Sequence, residues 1–169
     1  MNTDHIHLRR WDKKDWEAFR AIRLEAVTHH SNVFLSSYDM EAAKDSSYWV
    51  DTLADHWRGA VFGLYDGDEV IGLTGAFRHR DHVEDTVILG MSYIRAEYRG
   101  LGLSKLLYAA RLAWAREQDG ITHVIVSHRA GNDASRAANQ KFGFVYTGTD
   151  EKLYGDGQKA INYLYELRL

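Results

Sequence analysis

The run Tyr98-Arg-Gly-Leu-Gly-Leu-Ser-Lys105 has the residue types and spacing of a phosphate cradle. Gly100 and Gly102 let the backbone approach a ligand closely, and the first turn of a following helix leaves N–H groups without intrahelical partners. The helix dipole adds a partial positive charge there and Arg99 a full one, so an anionic ligand is the first expectation. The competing reading is a glycine-rich turn that only packs a helix tightly against a sheet. Two nucleotide motifs are excluded. Gly102-Leu-Ser-Lys105 has neither the spacing of a P-loop nor its Gly-Lys pair, and a Rossmann turn needs a third glycine and normally lies in the first βαβ unit.

Such a cradle needs a strand leading in and a helix leading out. Thr86-Val-Ile-Leu-Gly-Met-Ser-Tyr-Ile94 reads as the strand. Leu103, Leu106, Leu107, Ala110 and Trp114 recur at helical spacing, which lays one apolar face on a sheet and turns Lys105, Arg111 and Glu117 away from it. Past Gly120, Ile121–Ser127 is apolar enough for an internal strand, and a crossover of this length makes it parallel to the Thr86 strand. Asn132 or Asp133 then caps a short helix with Lys141 in its last turn and Gly143 just beyond.

Upstream, His5–Trp11 alternates as a first strand, and Asp12 caps a helix carrying Trp16, Phe19, Ile22, Leu24 and Val27. Another helix is expected from about Ser46 and a short one near Asp39. Gly59–Tyr65 and Glu69–Phe77 read as a hairpin turning on Asp66-Gly67-Asp68, and a turn near Arg80–His82 leads on to the Thr86 strand. Phe144–Thr147 and Ala160–Leu167 close the chain as paired strands joined through Leu153–Gly157.

With 169 residues, 45% hydrophobic and 27% charged, the chain suits one domain over residues 1–169 with a real core. A net charge of -3 without a Lys/Arg block argues against a nucleic-acid partner. The absence of cysteine rules out disulfides, thiolate metal sites and cysteine nucleophiles. The opening Met-Asn-Thr-Asp-His-Ile-His has no secretion-signal pattern and no apolar stretch is long enough to cross a bilayer, so a cytoplasmic protein without a membrane partner is expected.

The element order and two motifs at the expected separation resemble the GNAT superfamily of acyl-CoA-dependent N-acetyltransferases. That family's pyrophosphate signature is Arg or Gln, two residues, Gly, one residue, then Gly or Ala, and here it reads Arg99-Gly-Leu-Gly102-Leu-Ser104. Ser104, and Ala96 where a Pro is frequent, depart from the pattern without removing a ligand group. The second motif is an Asn after the next strand and a helix closing in Gly-Phe, matched by Asn132 and Gly143-Phe144.

The resemblance implies an α/β (α+β) fold, with a mixed, mostly antiparallel central sheet of about seven strands, one parallel splayed pair and flanking helices. It also implies acetyl-CoA as acyl donor, its pyrophosphate held by the amides of Arg99, Gly100, Leu101, Gly102, Leu103 and Ser104. Ser92 to Ile94 would bind the pantetheine arm, and an N–H near Tyr93 or Ile94 would stabilise the oxyanion formed as an amine attacks the thioester. Asn132 would reach the arm from the other wall; the same residue reads as a helix cap.

The family's usual general acid, a Tyr four residues before the Gly of the Gly-Phe pair, is Asn139 here, and an amide is no proton donor of that strength. A water, or the hydroxyl of Ser135, Tyr108 or Tyr146, could protonate the departing thiolate; alternatively CoA leaves as the thiolate. No carboxylate interrupts Val87–Ile94, where many relatives carry a Glu base. His79, His82, Glu84, Asp85 and His128 have suitable chemistry, and each His also reads as an ordinary surface residue. His5, His7, His29 and His30 lack a matching ligand cluster, so no metal is expected. Arg78, Arg80, Arg129 and Arg136 read as solvated surface or as ligands of the CoA 3′-phosphate or an acidic acceptor. Trp49 and Trp57 read first as core residues in a segment that, in this family, covers the acceptor site.

The expected activity is acetyl transfer from acetyl-CoA to a primary amine by direct attack. A small-molecule acceptor is favoured by the aromatic-rich 31–57 segment, which suits a partly closed pocket. The rivals are acetylation of a protein N-terminus or lysine, and a non-catalytic acyl-CoA-binding or sensing module, which the Asn at 139 favours. The final strands allow pairing across a homodimer.

Overall fold

The computed structural model describes residues 2–79 and 84–169. The turn expected near Arg80–His82, with candidates Arg80 and His82, lies outside them.

Strand β1 (Ile6–Arg10) leads through a 3₁₀ turn (Lys13–Asp15) into α1 (Trp16–His29), α2 (Tyr38–Ala42) and α3 (Ser46–Ala54). Asp12 caps the turn with a full capping box, as its position before the apolar period requires. β2 (Gly59–Asp66), β3 (Glu69–Arg78) and β4 (Thr86–Ile94) follow, then α4 (Ser104–Glu117), β5 (His123–Arg129), α5 (Asp133–Lys141), β6 (Val145–Leu153) and β7 (Lys159–Arg168). The seven strands form one sheet in the order β1-β2-β3-β4-β5-β7-β6. Every neighbouring pair is antiparallel except β4 and β5.

Neighbouring residues of β2 enter different cores, as the pleat demands: Val61 joins Trp11, Phe19, Ile22 and Trp49, while Ala60 and Phe62 join Leu112, Trp114 and Phe144. α1 and α3 therefore cover one face and α4 and α5 the other. Two expectations need correction. Arg111 does not turn away from the sheet; it is 2% exposed, because it lies one helical turn after the buried Leu107 and shares its face. Trp57 is 67% exposed, lying against Arg78, whereas Trp49 is fully buried against Phe19. β6 also runs on to Leu153, well past Thr147.

Two features of β4 create space. It pairs with β5 only where Thr86–Ile88 meets His123–Ile125, and beyond that the parallel strands part. Its register with β3 slips between Leu73 and Gly75, opposite Met91, whose φ of 59° makes it the one non-glycine residue with positive φ among those described. Such a bulge bends a strand and re-aims its side chains, and it is over-represented beside active sites.

Candidate active site

The turn before α4 is open rather than packed against its neighbours. Glycines that serve close packing have atoms where a Cβ would stand, as Gly63 does against Trp11 and Gly72 against the Tyr93 carbonyl. At Gly100 (φ 77°) and Gly102 (φ 74°) a Cβ would meet nothing within 4 Å. Their positive φ shapes the turn and their bareness leaves it open. Asp12, Ser37, Asp45 and Asn132 each cap the helical segment they precede, yet α4 has no side-chain cap. The Lys105 and Leu106 N–H groups are taken up by the Gly102 and Leu103 carbonyls, and the positive end of the helix dipole faces the turn ahead of them.

Side chains brace this turn from below. Arg99 donates from Nε to the Ile94 carbonyl (2.8 Å) and from Nη2 to His30 Nε2 (2.7 Å). Burial, then Arg99, holds His30 below the usual histidine range. Arg95 reaches Glu25 at 2.8 Å and Glu69 at 2.6 Å, tying the end of β4 to α1 and β3. Arg95 keeps the Glu25 carboxyl below its ordinary value against the opposing effect of burial.

Where β4 and β5 part lies a cleft of about 330 Å³. Ile88 to Ser92 form one wall and Val126 to His128 the other, with Tyr108 and Arg111 of α4 and Asn132, Ser135 and Asn139 of α5 closing it. Arg23, Val33, Phe34 and Leu35 complete the lining, and Arg23 forms a buried pair with Glu41 of α2 at 3.0 Å. The cleft is lined by donors, among them the Arg111 guanidinium and Asn139 Nδ2.

The chain matches the acetyltransferase (GNAT) family model over residues 10–144. The protein belongs to the GNAT acetyltransferase family. That family is one of acetyltransferases. A GNAT-family acetyltransferase from Streptococcus pneumoniae shares the fold with a TM-score of 0.84 at 18% identity, over 97% of this chain and 99% of that one. A putative acetyltransferase from Salmonella typhimurium, solved with its cofactor acetyl-CoA, gives 0.79 at 20% identity over 98% and 95%. A mycothiol acetyltransferase from Corynebacterium efficiens is 33% identical over 85 residues, which are 50% of this chain but only 27% of that protein.

Within this GNAT fold the cleft collects Ser92, His128, Asn132, Ser135 and Asn139. Tyr93 stands apart from it. Its side chain packs in the α1 core and donates to Glu25 at 2.9 Å, and burial followed by Glu25 pushes its hydroxyl up to about 12. The Arg95 N–H donates to the Ile71 carbonyl of β3; by strand alternation the N–H of Tyr93 also faces β3 and that of Ile94 faces the splay. Asn132 does cap α5, its Oδ1 accepting from the Ser135 N–H at 3.2 Å.

His128 has both ring nitrogens engaged. The Arg129 carbonyl, 2.8 Å from Nδ1, can only accept, which places the proton there and leaves Nε2 to accept from Tyr165 at 3.1 Å. Asn139, 1% exposed, accepts a hydrogen bond from the Tyr108 hydroxyl, while its own Nδ2 is buried without a partner. Burial raises the Tyr108 pKa and Arg111 opposes it.

Of the remaining candidates, Asp85 receives the Thr122 and His123 N–H groups on its carbonyl, and Arg129 is bound to Asp156 at 2.6 Å. Arg136 and Tyr146 line another groove, which shares His128 with the cleft. Among the described residues no group of His, Asp and Glu has the arrangement of a metal site, and no helix is long and apolar enough to cross a membrane. Sequence reasoning missed Arg111. Its place one turn past Leu107 and three residues before Trp114 was the available signal.

Proposed function

We propose that this GNAT protein acetylates the primary amine of a small molecule. The observation that carries the reading is a second cavity of about 650 Å³ that shares Ile88 and Met91 with the cleft. Tyr48, Asp51, Thr52 and Asp55 of α3 form one wall of it, and Phe77, Arg78, His79 and Lys152 lie across from them. Donor and acceptor chambers then meet at the β4 bulge. The acceptor chamber suits a compact amine with both cationic and anionic contacts, and the similarity to a mycothiol acetyltransferase supports a small-molecule acceptor.

In this reading the amides of Gly100 to Ser104 hold the pyrophosphate of acetyl-CoA, the Arg99 N–H expected among them being taken by the Ala96 carbonyl, and Ser92, Ile94 and Asn132 position the arm. The Ile94 N–H, turned to the splay, serves the developing oxyanion. His79, on the acceptor side, is the histidine placed to take the amine's proton. The non-catalytic alternative draws its support from the Asn at 139, and Tyr108 weakens that support by bringing a hydroxyl to the same place.

The test is product analysis by mass spectrometry after incubation with acetyl-CoA and two pools, one of small primary amines and one of peptides. Acetylation confined to the small-amine pool supports the proposal. Acetylation confined to peptide N-termini or lysines would replace it with a protein-modifying activity.

A further inference from the structure

We propose that Arg111 is a catalytic residue of this site, its guanidinium holding the CoA sulfur as a thiolate when the acyl group departs. The inference rests on the acetyltransferase reading and names a residue for its leaving-group step. The amine lone pair forms the C–N bond to the carbonyl carbon, the C–S bond breaks, and its electron pair stays on sulfur. The proton lost by nitrogen goes to solvent through the acceptor side, so the thiolate needs no acid until it leaves.

Three observations lead there. Arg111 lines the cleft at 2% exposure, and among the described residues it has no carboxylate partner. Nε donates to the Leu107 carbonyl (3.1 Å), Nη1 to Ser92 Oγ (2.9 Å), and the guanidinium stands 4.5 Å from the Tyr108 ring centroid. A buried cation without a counter-charge is costly, and an apolar residue one turn after Leu107 would pack there without that cost.

The second observation separates the cleft's two arginines. Arg23 is neutralised by Glu41, so it offers little to an incoming anion. Arg111 alone brings an unbalanced charge. Burial lowers its pKa to about 10, with Tyr108 working the other way, so it is still a cation at neutral pH. The other titratable groups facing the cleft are Tyr108 from α4, His128 from β5 and Arg23 from α1.

The third is position. Ser92, which receives Nη1, immediately follows the bulged Met91 at the junction of the two cavities, and its Oγ is itself fixed 2.8 Å from Thr74 Oγ1. Unpartnered Asn139 Nδ2 adds a second buried donor to the same cleft.

The experiment titrates the thiol of CoA bound to the protein, following thiolate ultraviolet absorbance against pH. Because the chain has no cysteine, the thiol signal belongs to CoA alone. In the wild type the bound thiol should titrate at least about one unit below free CoA, a tenfold gain in thiolate at a given pH. Arg111→Lys should retain part of that shift. Arg111→Met should abolish it while CoA still stabilises the protein to heat. A wild-type thiol that titrates as in free solution overturns the proposal without recourse to any variant, and so does an unchanged titration in Arg111→Met. Failure of CoA to stabilise the wild type at all would instead reject the acetyl-CoA reading, and this inference with it.

Discussion

At Gly102 the backbone has φ 74° and open space where a Cβ would point, so a substituent there displaces no protein atom and enters the volume proposed for the pyrophosphate. Gly102→Glu should cost about 1–2 kcal/mol for the left-handed backbone, leave the protein folded, and abolish thermal stabilisation by CoA. Retained stabilisation would show that the pyrophosphate lies elsewhere. Asn132 allows its two roles to be separated, because Asp caps a helix as well as Asn does. Asn132→Asp should leave the melting temperature nearly unchanged and raise the KM for acetyl-CoA about fivefold or more, the loss of roughly one hydrogen bond. An unchanged KM would reduce Asn132 to a cap. These residues were readable in the sequence because their chemistry is local: a turn and a cap need only their neighbours. Arg111 was not, since a charge on an amphipathic helix is ordinarily solvated and only tertiary packing kept this one inside.

Among the elements, α1 is the strut that fixes the end of β4. Glu25 accepts from Tyr93 and from two nitrogens of Arg95, and its carboxyl titrates below the ordinary 4.5. A depressed carboxylate contributes stability above its unfolded pKa and loses it as pH falls through the lower folded value. Thermal melts should therefore show a stability decrement below about pH 4.5 that Glu25→Gln reduces; an identical acid profile in the variant would mean that the strut contributes nothing. The order of elements was legible because strand and helix periods differ so clearly. The Met91 bulge was not, for methionine has no preference for positive φ and the conformation is imposed by β3. The far half of β6, Asp150-Glu151-Lys152, resembled a loop because an exposed edge strand carries charges that a central strand would not.

Over the whole molecule, one sheet separates two tasks. In the proposed reading the cradle and cleft take the donor where β4 and β5 part, and the chamber beside α3, which shares Met91 with the cleft, takes the acceptor. The cradle could be found in the sequence because Arg99 to Ser104 are contiguous; the cleft could not, because Tyr108, Arg111 and Asn139 meet only when α4 packs beside α5. The most direct test of the account is to incubate purified protein with acetyl-CoA and a mixture of small primary amines and follow thiol release, with Gly102→Glu measured in parallel. The account predicts amine-dependent release by the wild type and none above background by the variant. Equal release by both, or none by the wild type although acetyl-CoA binds, would contradict it.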